Sequence, residues 1–201
     1  MKYIFLFNFL FYLSLSKAQE KLRIEYEVEP YFESINRVDN SVNSVTSIFE
    51  LISTESESIY TVVPTINNSQ SEISGFSMAM MSADENPVYK NFQTKKYVEG
   101  IKLSGKAFLV QDDLPIINWE IKKETKEIAG ISTLKAIAVL EDENQTKIEA
   151  WYAPKLSYKT GPEKFWGLPG VILELKTVIE YENGNKEGTH YLASKIEVIK
   201  K

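Results

Sequence analysis

Apolar side chains recur at every second position through most of this chain, in short runs broken by turn residues. From Arg23 to Glu29, Ile24, Tyr26 and Val28 alternate with Glu25, Glu27 and Glu29, which predicts a strand with one buried and one wet face. Ser47–Ser53 and Glu57–Val63 predict two further strands around Thr54-Glu55-Ser56, the second ended by Pro64. Short strands follow at 89–92, 95–101 and 106–110, with a turn expected at 111–115. Strands at 119–124, 133–140 and 147–152 form an expected meander, with turns at Ile128-Ala129-Gly130 and Glu141-Asp142-Glu143-Asn144. A last hairpin pairs 171–181 with 189–199 around Asn183-Gly184, the dipeptide best suited to a tight hairpin turn. The fold class is therefore all-β. It is expected as an antiparallel meander forming a strongly curved sheet or barrel-like domain, with at most one or two short helical segments.

Two stretches break the rhythm. Residues 33–47 are polar, with Val38, Val42 and Val45 scattered through them. The region 67–87 carries Phe76, Met78, Met80 and Met81, which suit a short helix, a mobile flap or plain core filling.

The N-terminus follows another pattern. Lys2 precedes an almost unbroken apolar run from Tyr3 to Leu15, and Ser16-Lys17-Ala18 sets small residues where signal peptidase needs them. Residues 1–18 are expected to be an export signal, cleaved after Ala18 or, as second choice, after Gln19. The run is shorter than the ~20 residues of a membrane span. Residues 19–201 are then expected to form one domain, exported to the periplasm or beyond, with no membrane span. Losing Lys2 and Lys17 leaves 21 basic against 28 acidic residues. Such an acidic surface without a basic tract argues against nucleic acid and anionic lipid as partners. The chain has no cysteine, which excludes disulfides and thiolate metal sites.

The densest stretch is Thr160-Gly161-Pro162-Glu163-Lys164-Phe165-Trp166-Gly167-Leu168-Pro169-Gly170, which runs into the apolar Val171-Ile172-Leu173. Leu168-Pro169-Gly170-Val171 has the composition of a type II turn, with glycine at the position needing positive φ. Gly161-Pro162 and Pro169-Gly170 stiffen the loop, and Gly167 lets backbone pass close to an aromatic ring. Trp151, Phe165 and Trp166 are large enough to lock the loop against the sheet. The same aromatics, with Leu168 and Pro169, are also candidate anchors for a ligand or partner.

This stretch resembles the signature of the GLPGLI family, with Val171 in place of the motif's second leucine. The family comprises exported proteins, mainly from Bacteroidetes. The likeness extends upstream through Leu114-Pro115 to Trp119, Glu124-Thr125-Lys126, Ile128-Ala129-Gly130, Lys135-Ala136 and Ala150-Trp151-Tyr152. Many relatives carry a cysteine shortly before the Lys-Ala pair. This chain has Thr133 there, so any redox role of that cysteine is absent. The resemblance brings no established catalytic residues.

Reactive side chains are sparse. His190 is the one histidine; in simple alternation it shares a face with Leu192, Ser194, Ile196 and Val198, as a packed or rim residue would. Ser77, in Gly75-Phe76-Ser77-Met78-Ala79, lacks the second glycine of a nucleophile elbow. Asp84, Glu85, Asp112, Asp113 and the Glu141-Asp142-Glu143 run fall in expected turns, where solvated acids are ordinary; paired acids would be the basis of a hydrolase. No catalytic residue, cofactor or metal site is expected. The expected function is a non-enzymatic binding or accessory role toward an envelope protein, with a periplasmic carrier of an apolar small ligand as the alternative and a carboxylate-dependent hydrolase as a third.

Overall fold

In a computed structural model the described residues are 20–34, 46–64 and 86–199. The expected signal, the scattered valines of 38–45 and the methionine-rich 76–81 segment lie outside them. Among the described residues eleven strands form one antiparallel sheet. They are β1 (Lys21–Glu33), β2 (Ser47–Ser53), β3 (Glu57–Val62), β4 (Val88–Asn91), β5 (Lys96–Leu103), β6 (Lys106–Asp113), β7 (Glu120–Ile128), β8 (Ile131–Val139), β9 (Lys147–Ala153), β10 (Val171–Glu180) and β11 (Lys186–Ile199). No helix occurs among the described residues.

The order across the sheet is β6-β5-β4-β3-β2-β1-β11-β10-β9-β8-β7. The first described strand thus lies at the centre, the next strands meander out to β6, the chain crosses to the opposite edge at β7, and the last strands meander back until β11 closes on β1. That crossing bends the sheet. Eleven flat strands would set their edges ~48 Å apart. Leu114–Trp119 joins those edges with six residues, which reach ~25 Å at most. The sheet must therefore curl, although β6 and β7 do not pair.

Alternation assigns the faces. Leu22, Ile24, Tyr26, Val28, Phe49, Leu51, Tyr60 and Val88 bury one face of the first half, and Ala136, Ile148, Ala150, Tyr152, Leu175 and Tyr191 continue it in the second. Each Leu or Ile sealed there contributes about 1.5–3 kcal/mol. Besides a register shift between Ile121 and Thr125 on β7, two bulges disturb the alternation. One lies between Ile172 and Glu174 on β10, and it lets Val171, Ile172 and Leu173 all be buried. The other skips Ser194 on β11, where Ala193 pairs with Tyr26 and Lys195 with Glu25. It breaks the face expected for His190: Leu192 stays with it, whereas Ile196 turns to the core.

Two local expectations need correction. Residues 111–113 are not a turn but the end of β6, held by pairing with β5 and by a 2.9 Å Lys96–Asp113 ion pair. Nor is 168–171 a type II turn, because Gly170 does not take positive φ. The Gly170 N–H instead donates to the Leu168 carbonyl at 2.8 Å, a γ-turn around Pro169. Glycine is needed there for space: a Cβ would sit 2.3 Å from the Ala153 carbonyl oxygen, where β10 meets β9. Positive φ falls on Gly167 instead, at 96°.

Candidate functional site

The signature loop is the β9–β10 connection, and it folds onto the inner, core-bearing face of the curled sheet. Its first anchor is Thr160, fully buried, whose hydroxyl donates to Ser58 Oγ on β3 at 3.1 Å. The Thr160 carbonyl accepts from the Ile172 N–H at 2.9 Å, and Thr160 bridges Trp166 across the loop. Gly161 packs so tightly on Ile172 that a Cβ would lie 2.8 Å from it. Tyr26 on β1 donates its phenol to the Ile172 carbonyl at 2.5 Å, and burial pushes that phenol's pKa well above the ordinary range.

The second anchor is Lys90 on β4, opposite Ser58. Alternation with Val88 turns it inward, and it is fully buried. Its ammonium donates to the carbonyls of Gly161 at 2.6 Å and Phe165 at 3.2 Å. Burial pulls its pKa down to about 7, and the nearby Glu163 carboxylate offsets part of that fall. Glu163, at φ 43°, accepts from the Tyr191 phenol. Lys164 reaches Glu99 on β5 at 3.2 Å and lies over the Tyr97 ring.

The third anchor joins the loop to the crossing strap. Trp119 Nε1 donates to the Trp166 carbonyl at 2.9 Å, and Trp166 Nε1 donates to the Pro115 carbonyl at 2.8 Å. The Trp166 ring stacks on Phe92 at 6.1 Å and 14°. The upstream and downstream parts of the sequence signature thereby meet in space.

The candidate anchors therefore fall in different environments. Phe165 and Leu168 are buried, as are Gly161, Pro162 and Gly170. Phe165 meets Tyr191 edge to face at 6.4 Å. Trp166 is half-buried; Gly167 and Pro169 are exposed. Trp151 is separate from the loop, on the outer face of β9, its ring under Lys126 at 4.3 Å and Lys135 at 5.6 Å. Beside the Trp166–Pro115 bond, Ile116 is 88% exposed. The apolar surface left by loop and strap is a small rim of the half-buried Phe92 and Trp166 with the exposed Pro169 and Ile116.

Of the titratable candidates elsewhere, Asp84 and Glu85 lie outside the described residues, and several of the others have structural partners. His190 Nε2 lies 3.1 Å from Glu174, which also pairs with Lys126. Burial alone would raise the Glu174 pKa, but His190 and Lys126 outweigh it and hold the carboxyl below its ordinary value. Asp142 accepts from the Thr146 hydroxyl and N–H, which hold it low and make the 141–144 run a structural turn. Asp112 accepts from the Asp113 N–H at 2.7 Å. Thr133, two residues before Lys135, is fully buried and donates to the Lys126 carbonyl at 2.9 Å. Among the described residues no group of three or more His, Cys, Asp or Glu is arranged to hold a metal. Sequence reasoning missed Lys90, Phe92 and Ser58. The alternation of Val88 and Lys90 against Tyr89 and Asn91 is the one signal for the first.

Residues 138–174 match the family described as "Protein of unknown function (Porph_ging)", a segment running from β8 to the end of the signature. No curated protein matches the chain. Among solved structures, PNGF-II in its C2 crystal form is similar over 90% of this chain at 17% identity and a TM-score of 0.57. Its P21 form is similar over 92% at 18% identity and a TM-score of 0.54. At such identity the likeness concerns the fold. This chain spans only 28–29% of the length of PNGF-II. The LolA superfamily protein NE2245 of Nitrosomonas europaea also aligns, over 89% of this chain and 86% of its own, at 8% identity. Its TM-score of 0.33 is too low to bear on the fold.

Proposed function

We propose that the protein is an exported, non-enzymatic accessory protein of the cell envelope, of the GLPGLI type. The signature Gly167-Leu168-Pro169-Gly170-Val171-Ile172 lies within the segment that matches the family of unknown function, which supports that assignment. One observation carries the functional part: the loop richest in binding-type residues is turned inward as a plug, its carbonyls taken by Lys90 and by the Trp119 indole of the strap, and its own Trp166 indole bonded to the strap's Pro115 carbonyl. Binding then falls to the rim that the plug sets in place, Phe92, Trp166, Pro169 and Ile116, and its partner is another envelope protein.

A second reading, carriage of an apolar small ligand, has its own support. Beyond the plug, Phe108 and Val110 on the inner face of β6 are 46% and 40% exposed.

Native mass spectrometry of the protein purified from its own envelope, with a screen of esterase, glycosidase and peptidase substrates, tests both readings. The accessory reading expects a chain without small-molecule adduct and no turnover. A lipid-mass adduct would replace it with the carrier reading. Turnover abolished by a single carboxylate substitution would overturn both.

A further inference from the structure

The two edges of the sheet differ in kind. β7, the sequence Glu-Ile-Lys-Lys-Glu-Thr-Lys-Glu-Ile, carries charges along almost its whole length, the ordinary protection of an edge strand against pairing. β6, the sequence Lys-Ala-Phe-Leu-Val-Gln-Asp-Asp, is exposed at every position and has an uncharged centre. Leu109 is 78% exposed, and its cross-strand neighbour on β5 is Gly100, which has no side chain to cover it.

The β5–β6 hairpin determines which backbone groups are left over. Ser104 and Gly105 both take positive φ, 51° and 77°, as a two-residue type I′ turn requires. Leu103 and Lys106 are then a hydrogen-bonded pair, and the even-numbered residues of β6 direct their N–H and C=O toward β5. Ala107, Leu109 and Gln111 direct theirs outward from the sheet edge. Among the described residues no strand pairs with β6 on that side.

We propose that this edge pairs with the β6 edge of a second copy of the chain, antiparallel, about a two-fold axis through Leu109. A two-fold that joins two identical strands in one continuous sheet is perpendicular to it and keeps each face on its own side. Facing residues must then have the same parity, and the outward groups of Ala107, Leu109 and Gln111 meet those of Gln111, Leu109 and Ala107 of the other copy. With Leu109 on the axis, Lys106 faces Asp112 of the other copy, and Asp112 faces its Lys106. Phe108 faces Val110 and Val110 faces Phe108, an aromatic–β-branched pair on the inner face. Shifting the register by one allowed step in either direction sets Lys106 against Val110, or Phe108 against Asp112. The strand's charge pattern is thus complementary to itself in one register, as an isologous interface requires.

Sedimentation velocity on the full purified chain tests this. The wild type is expected as a dimer that dissociates on dilution. Leu109→Lys sets like charges together on the axis and is expected to give a monomer. Lys106→Asp is expected to weaken the dimer by about tenfold or more, and Lys106→Asp with Asp112→Lys is expected to restore it. All three positions are exposed, so melting temperatures measured at dilutions where the wild type is itself monomeric should stay unchanged and separate loss of pairing from loss of folding. A wild type that remains monomeric at high micromolar concentration, its β6 edge free or covered by another segment or protein, would overturn the proposal. So would a dimer that survives Leu109→Lys, or a double swap that fails to restore pairing.

Discussion

The Trp119 indole donates to the Trp166 carbonyl at 2.9 Å, and the Trp166 indole donates at 2.8 Å to the carbonyl of Pro115, near the start of the strap that Trp119 ends. Each tryptophan thus bonds backbone on the other's segment, so loop and strap hold each other. Trp166→Phe keeps the stack on Phe92 and removes one donor, leaving the Pro115 carbonyl without it. The expected loss is about 1–2 kcal/mol by urea denaturation. Trp119→Phe should cost a similar amount. The double variant should lose less than the sum, because both bonds hold the same junction.

Lys90 gives the protein a pH dependence. Its pKa is about 7 when folded and 10.5 as the ordinary value, so between these pH values the unfolded chain binds the extra proton. Stability from this group is fully present above about 10.5 and is lost as pH falls toward 7. The slope in that window approaches about 1.4 kcal/mol per pH unit. Urea melts across the window should show stability rising with pH, and Lys90→Met should remove that rise.

Glycines that look alike in sequence should respond differently to alanine. At Gly170 the added Cβ would lie 2.3 Å from a backbone carbonyl oxygen, and backbone cannot step aside. Gly170→Ala should cost about 3 kcal/mol or prevent folding. At Gly105 a Cβ meets nothing within 4 Å, and only the φ of 77° opposes it. Gly105→Ala should cost about 1 kcal/mol. Thermal melts of the two variants make the comparison.

Strand rhythm is legible in the sequence because alternation and turn residues act locally. Ser47–Ser53 coincides with the expected strand, and Asn183-Gly184 lies in the last hairpin's turn, with Gly184 at φ 78°. Asp112 and Asp113 suggest a turn because their composition favours one, yet pairing with β5 prevails. The Pro169-Gly170 pair points to conformational freedom at Gly170, whereas close approach to Ala153 is what requires the glycine. Contact between distant strands leaves no such local signal. Lys90 is hidden as an anchor for the same reason, since its two carbonyl partners lie more than 70 residues away. The loop's aromatic content is plain in the sequence, whereas its inward orientation depends on the curl imposed by the short strap.

Hydrogen–deuterium exchange across residues 156–172 tests the inward plug most directly. The Ile172 amide, bonded to the Thr160 carbonyl at 2.9 Å, and the Phe165 amide, bonded to the Pro162 carbonyl at 3.1 Å, are the probes. If the loop is part of the core, the Ile172 amide exchanges only with global unfolding, as slowly as Leu175 on β10, and Phe165 is protected with it. Rapid exchange through Gly161–Gly170 beside a protected β10 would contradict the account and return the loop to the surface.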